Sequence, residues 1–311
     1  MRRSAALLLA LLVAVGVLAG CGGTDSAGAE GLPEVTGTYG DKPKVKADKE
    51  EKPGKKIKSE VLVKGDGPKV AKGDLLVADY LGSVYATNKV FDNSYDRGQP
   101  AGFEIGTGKV IKGWDETLVG VNAGSRVLMV IPPALGYGEQ GNPQAGIKGT
   151  DSLVFVVDVI ASYGKDDAVP ADEPAPVGDL PAGLPAVEGE PGAQPTVTVP
   201  KGSKPPAAPS VTVLAEGTGK PVEKGRLAVV HYEAVNYAGQ PVGSTWQTGV
   251  PQGVPVGAEG QATPFDQLVD VPVGSRVLLL LPAQQGGDPA KDSVAVVIDV
   301  VATHGPAKEK A

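Results

Sequence analysis

Short apolar segments bounded by Gly, Pro or Asp recur along the chain and indicate β-strands. They are rich in Val, Ile and Leu, which fit a pleated, half-buried surface. These segments are residues 75–81, 126–131, 153–160, 227–232, 276–281 and 294–301. Trp114, Leu118 and Val121 instead follow helical spacing on one face. The pattern predicts an α+β fold, with an antiparallel sheet curled around one short helix.

The second half of the chain repeats the first. Tyr80 matches Tyr232 at an offset of 152 residues, and the segment 124–128 recurs as 274–278 at an offset of 150. The last strand recurs at an offset of 141, so the main shortening lies in the loop before it. We therefore expect two modules of one fold, module one over residues 57–163 and module two over residues 209–305.

The repeat extends upstream of both modules. Leu32-Pro33-Glu34-Val35-Thr36-Gly37 matches Leu184-Pro185-Ala186-Val187-Glu188-Gly189, again at 152. Each module is thus expected to carry an extra N-terminal arm or strand. The surrounding stretches, 21–56 and the acidic, Pro/Ala-rich 164–208, otherwise have the composition of linkers, because they contain too little apolar surface to offset the entropy of ordering. Residues 306–311 are expected to form a tail.

The N-terminus has the features of a secretory signal. Arg2 and Arg3 precede an apolar run that is too short to span a bilayer comfortably. The run ends in Leu18-Ala19-Gly20-Cys21, which resembles the bacterial lipobox. This resemblance implies a signal peptide over residues 1–20, lipidation of Cys21, and an extracytoplasmic protein anchored to the bacterial cytoplasmic membrane. The alternative is that Cys21 is a free thiol within a cleaved signal.

Composition excludes several classes of function. Cys21 is the one cysteine, so no internal disulfide can form. The formal net charge is −7, which argues against a nucleic-acid partner. Neither a Ser/His/Asp constellation nor a Cys/His cluster is evident, and His231 and His304 have no metal-ligating neighbours at useful spacing. No cofactor is expected.

Residues 57–161 carry five motifs in order that resemble the FKBP-type immunophilins. The motifs are Phe91-Asp92-Asn93-Ser94, Val110-Ile111-Lys112-Gly113-Trp114-Asp115, Ile131-Pro132-Pro133, Tyr137-Gly138 and Leu153-Val154-Phe155. The resemblance implies that module one is a peptidyl-prolyl cis-trans isomerase that assists the folding of extracytoplasmic proteins. It implies proline-containing polypeptides as substrates and macrolides as a second ligand class.

The same resemblance assigns the residues of the pocket. It implies catalytic roles for Tyr80, Phe91, Asp92, Ile111, Trp114 and Tyr137, and substrate-binding roles for Arg97, Phe103, Val110, Ile147 and Phe155. Trp114 is expected to underlie the proline ring, while the Ile111 N–H and the Tyr137 hydroxyl hold substrate carbonyls. Ala101 and Asn142 depart from the family, where an aromatic residue and a His are common.

Module two is expected to be a degenerate copy without the pocket. Phe91-Asp92 becomes Val242-Gly243, Val110-Ile111 becomes Gln261-Ala262, Trp114 becomes Phe265 and Phe155 becomes Val296. Module two could bind unfolded chains, mediate self-association or add bulk, and Trp246 could fill the vacated pocket or anchor a partner. The alternative for the whole protein is a chaperone-like binder with vestigial isomerase activity.

Overall fold

Two β-sheet bodies make up most of the chain that the computed structural model describes, which comprises residues 31–50, 53–165, 167, 175–176, 181–260 and 262–307. The predicted signal peptide 1–20 and the lipidation site Cys21 lie outside these ranges. Within them, no helix is both long and apolar enough to cross a membrane.

Module one is an antiparallel sheet packed against one short helix. A small hairpin of β1 (Glu34–Thr36) and β2 (Lys44–Lys46) precedes it. Its strands are β3 (Lys58–Val63), β4 (Leu75–Val84), β5 (Lys89–Asn93), β6 (Ala101–Glu104), β7 (Arg126–Ile131) and β8 (Leu153–Tyr163), and its helix is α1 (Lys112–Leu118). The strand order is β3-β7-β8-β4-β5, with β6 also pairing β4. The strands and the helix predicted from the pattern are confirmed.

Module two repeats this order. The linker contributes β9 (Ala175–Pro176), and a second hairpin of β10 (Ala186–Glu188) and β11 (Thr196–Thr198) follows. The remaining strands are β12 (Ser210–Glu216), β13 (Arg226–Asn236), β14 (Pro241–Ser244), β15 (Gln252–Val256), β16 (Arg276–Leu281) and β17 (Val294–His304). The sheet runs β14-β13-β17-β16-β12-β9, with β15 also pairing β13. Both bodies are mostly sheet, as an α+β fold with few helices requires.

The structure corrects the prediction of the helix in module two. The counterpart of α1 is a 3₁₀ helix, Pro264–Leu268, and the one α-helix in the described part of this module is α2 (Pro289–Asp292), which lies elsewhere. Trp114 and Leu118 are four residues apart, whereas Phe265 and Leu268 are three apart. A 3₁₀ helix has 3.0 residues per turn, so the shorter spacing still places both side chains on the core face.

The hairpins cover the outer face of each sheet. Val35 and Val45 of the first hairpin pack with Leu128 and Val130 of β7, on the face opposite the α1 core. Val187 and Val197 of the second hairpin pack with Leu278 and Leu280 of β16. In the three-residue strand β2, Val45 therefore faces the sheet while Lys44 and Lys46 are exposed.

A buried ion pair holds each hairpin to its sheet. Arg126 is 1% exposed and donates through Nε and Nη2 to Asp158 at 2.6 and 2.7 Å. Its remaining N–H groups donate to the carbonyls of Gly37 and Asp41, and the Gly40 N–H donates to Asp158. Module two repeats the arrangement with Arg276 and Asp299. Each buried charge is therefore paired with its counterion and hydrogen-bonded to the hairpin.

The two modules contact each other through equivalent residues. Leu75 and Val77 of β4 share one apolar cluster with Leu227 and Val229 of β13. At Gly102, an added Cβ would lie 3.2 Å from the Gly253 Cα, so the backbones of β6 and β15 approach closely. Because equivalent surfaces meet, the contact resembles the isologous interface of a twofold dimer.

Replacing Arg126 by Ala should lower the free energy of unfolding by about 3–5 kcal/mol, because Asp158 would remain buried without its cation. Urea unfolding of the full chain, followed by circular dichroism, measures this. Lys291→Ala is the control, since Lys291 and Asp288 form an exposed pair and its loss should leave the midpoint unchanged. Equal effects of the two substitutions would contradict the assigned role of the buried pair.

Candidate functional site

A cavity of about 510 Å³ opens between the sheet and α1 of module one. Nine of the residues that the sequence predicted for the site line it: Tyr80, Phe91, Asp92, Phe103, Val110, Ile111, Trp114, Tyr137 and Phe155. Arg97 does not line the cavity but is bonded to two residues that do. Ile147 is 2% exposed, belongs to the same core cluster and is not one of the lining residues.

The floor of the cavity is an aromatic cluster centred on Trp114. This side chain lies in the first turn of α1 and is 4% exposed. Its ring centroid lies 4.8 Å from Phe103, 5.3 Å from Phe155 and 5.7 Å from Tyr80, each in an edge-on arrangement. Such pairs stabilise beyond their buried area, so the cluster forms a rigid apolar surface.

The strands bring the walls together through register. Tyr80 and Gly82 lie on β4, which pairs with β5, β6 and β8. Gly82 is opposite Asp92 on one side and Phe155 on the other. Phe91 then meets Phe155 across Gly82, with ring centroids 5.7 Å apart. Residues distant in the sequence therefore converge because they flank a single strand position.

Gly82 is required by this packing. A Cβ there would lie 2.7 Å from Phe91 and 2.8 Å from Phe155. Its counterpart in module two is Ala234, which β17 places opposite Val296. Gly82 was not among the residues predicted for the site. The repeat did contain a signal for it, because Gly82 becomes Ala234 where Phe91 and Phe155 become Val.

The acidic residue that lines the cavity, Asp92, is neutralised locally. The Tyr80 hydroxyl donates to Asp92 at 2.5 Å, and Arg97 donates to Asp92 at 2.6 Å and to the Tyr80 oxygen at 2.8 Å. Burial and the bond to Asp92 raise the pKa of Tyr80 to about 12, so its hydroxyl stays protonated at neutral pH. Burial opposes the Arg97 charge, but bonds to Asp92 and Tyr80 outweigh it and raise its pKa.

Two further donors lie at the cavity. Among the described residues, no acceptor contacts the Ile111 N–H, which precedes the first turn of α1. Tyr137 follows a 3₁₀ turn, Pro133–Leu135, and is 36% exposed at the rim. Lining residues that the sequence analysis missed are Lys109, Lys112, Ala134 and Gly136. The site thus combines an apolar floor with a few donors at its edge and can hold a small apolar ring flanked by carbonyls.

Module two has no comparable aromatic cluster in its described part. Its core is built of Val, Leu, Ile and Ala, with Tyr232 and Phe265 packed at the margin. Gln261 lies outside the described residues. The prediction that Trp246 fills the vacated pocket is wrong, because Trp246 stacks on His231 at 4.3 Å, on the face of β13 opposite Tyr232. Over the same residues, no three His, Cys, Asp or Glu side chains are grouped to hold a metal ion.

Comparisons with known proteins agree with this geometry. Residues 67–160 match the family model of FKBP-type peptidyl-prolyl cis-trans isomerases. The FK506-binding protein of Streptomyces anulatus is 38% identical over 97 residues, which are 31% of this chain and 78% of that protein. Peptidyl-prolyl cis-trans isomerase FPR2 of Saccharomyces cerevisiae is 42% identical over 92 residues, 30% of this chain and 67% of that protein. The crystal structure of FkpA from Escherichia coli is 38% identical, with a TM-score of 0.31, and the match covers 34% of this chain and 47% of that one.

Replacing Gly82 by Ala should destabilise the chain by about 1–3 kcal/mol, because the methyl group overpacks against two aromatic rings. Adding Phe91→Val should recover part of that loss, since module two tolerates Ala234 beside Val242. Thermal unfolding of the two single variants and the double variant measures the coupling. Strictly additive effects would show that Gly82 and Phe91 do not constrain each other.

Proposed function

Because the chain belongs to the FKBP-type peptidyl-prolyl cis-trans isomerase family, we propose that module one is its catalytic unit and acts on X-Pro bonds of extracytoplasmic polypeptides. The observation that carries this proposal is the aromatic cavity above Trp114, which has the size and polarity to take a proline ring. Macrolides are a second proposed ligand class of the same cavity.

The chemistry suits an apolar site. Rotation about an X-Pro bond must break amide resonance against a barrier of roughly 18–20 kcal/mol, and no covalent bond is made or cut. In the twisted transition state the amide loses its charge separation, so an apolar surface favours it over the planar, well-solvated ground state. Trp114, Phe103 and Phe155 supply that surface.

Polar groups at the rim fix the orientation of the substrate. In this proposal the Ile111 N–H and the Tyr137 hydroxyl donate to substrate carbonyls on either side of the proline. Asp92 is held by Tyr80 and Arg97, so its role is to position the wall that carries Phe91. It transfers no proton in this proposal, since both carboxylate oxygens already accept hydrogen bonds.

Module two does not catalyse in this proposal. In module two, Val242 replaces Phe91 and Val296 replaces Phe155. The loop of module two that corresponds to the Tyr137 loop of module one is nine residues shorter, since the offset falls from 150 to 141. An apolar core of Val and Leu keeps the sheet intact without supplying a floor for a proline ring.

Phe91→Val should lower kcat/KM on a Leu-Pro peptide by about tenfold, because a wall of the pocket loses roughly 1.5 kcal/mol of apolar contact. Tyr137→Phe should act similarly through a lost donor. A protease-coupled isomerisation assay of the full chain measures both. Val242→Ala, at the matching position of module two, is the control and should leave the rate unchanged.

The opposite outcome is also informative. The wild-type chain could leave the isomerisation rate unchanged and still suppress aggregation of an unfolded protein. That result would contradict the proposed isomerase and support a chaperone-like binder.

We also propose that Cys21 carries the lipid anchor and places both modules outside the bacterial cytoplasmic membrane. A diacylated residue is enough for stable anchoring. Labelling of a bacterial host with radioactive palmitate should mark the wild-type chain and not Cys21→Ser, and the variant should leave the membrane fraction. Unchanged labelling and fractionation of Cys21→Ser would contradict the anchor.

A further inference from the structure

The turn that carries Arg97 has anchors outside module one. This turn, residues 94–99, hereafter the Arg97 turn, joins β5 to β6 and contains the 3₁₀ helix Tyr95–Arg97. Arg97 links the turn to the side chains of Asp92 and Tyr80, and Ser94 links it to the Tyr80 backbone. The position of the turn therefore sets how Asp92 and Tyr80 are held.

At the start of the turn, module two reaches a fully buried carboxylate. Asp79 is 0% exposed, and its Oδ1 accepts from the Ser94 hydroxyl at 2.7 Å. Its Oδ2 accepts from the backbone N–H of Ala307, which follows β17 of module two, also at 2.7 Å. The Ser94 oxygen in turn accepts from the Tyr80 N–H. A chain of three hydrogen bonds thus links the end of module two to the backbone of a cavity residue.

At the end of the turn, module two supplies a second anchor. Gln99 is 7% exposed, and its Nε2 donates to the Arg226 carbonyl of β13 at 2.6 Å. Three residues later, the backbone of Gly102 lies against Gly253. Both ends of the turn are therefore held by module two through partly buried hydrogen bonds, the first by way of Asp79 and the second directly.

The middle of the turn is held by module one and its hairpin. The Tyr95 hydroxyl donates to Asp158, and Asp96 pairs with Lys42 at the surface. These contacts leave the two ends dependent on module two. Burial raises the pKa of Asp79, while the bonds from Ala307 and Ser94 lower it, so the same bonds stabilise the buried charge.

We propose that module two is a positioning element for the active site of module one, acting through Ala307 and Gln99 on the Arg97 turn. This inference rests on the proposed function of module one and gives the non-catalytic module a role in the reaction. Module two contributes no group that touches substrate; it restricts the turn so that Arg97 keeps Asp92 and Tyr80 in place. Loss of its anchors should lower kcat more than it raises KM.

The test uses the full chain with both anchors removed. Ala307→Pro deletes the N–H that Asp79 accepts, and Gln99→Met keeps the length of the side chain but cannot donate. The double variant should lose about tenfold in kcat/KM on a Leu-Pro peptide, since two hydrogen bonds are lost. Ala307→Gly keeps the N–H and should retain wild-type activity.

A matched control separates positioning from loosening of the interface. Tyr163→Phe removes the bond between Tyr163 and His304, another contact between the modules that does not involve the Arg97 turn. It should leave kcat unchanged. If Tyr163→Phe and the double variant lose activity equally, or if the double variant keeps full activity, the proposal is overturned.

Amide hydrogen exchange provides a readout that does not depend on activity. The N–H groups of Ser94, Arg97 and Gly98 are hydrogen-bonded within or beside the turn. They should exchange faster in the double variant than in wild type and Tyr163→Phe, and unchanged protection would overturn the proposal. An inactive wild type would refute the proposed function, whereas the exchange result would still decide whether module two orders the turn.

Discussion

The buried pair of Arg126 and Asp158 joins the parts of module one that the chain leaves separate. It links β7 to β8 and holds the hairpin through hydrogen bonds from Arg126 to the Gly37 and Asp41 carbonyls. Asp158 also accepts a hydrogen bond from the Tyr95 hydroxyl of the Arg97 turn. A buried charge is costly without its partners, so none of these parts can move away without leaving polar groups unpaired. Module two repeats the pair in Arg276 and Asp299, with its own hairpin. The ion pair therefore belongs to the scaffold that the two modules share.

The pocket depends on a different constraint, which is steric. Phe91 and Phe155 can meet only because Gly82 leaves room between them. Module two has Ala234 at that position and packs it with Val296 in the core, while Val242 is exposed, so no cavity wall forms. One sheet thus supports two different interiors, because its stability comes from the strand pairing and apolar packing that both copies share. Function resides in the site and is not a consequence of the fold alone.

The association of the two copies gives module one surroundings that a single copy lacks. Equivalent residues meet at the interface, among them Leu75 with Leu227 and Gly102 with Gly253. The copies are not identical, however, and the asymmetry matters at one buried position. Module one has the carboxylate Asp79 there, whereas module two has His231 stacked on Trp246. Only the carboxylate can accept both the Ser94 hydroxyl and the Ala307 N–H.

The sequence by itself determined the strands, the repeat and most of the cavity lining. Val-, Ile- and Leu-rich runs specify strands because alternate side chains must be buried, and ordered motifs around Trp114 specify the aromatic floor. One short helix was expected in each module, but in module two the counterpart of α1 is a 3₁₀ helix. Only the tertiary structure decided that Ile147 does not line the cavity, that Trp246 stacks on His231, and that module two contacts the Arg97 turn. Those facts depend on which face of a strand a side chain occupies and on contacts between residues more than a hundred positions apart, and local sequence patterns do not encode either.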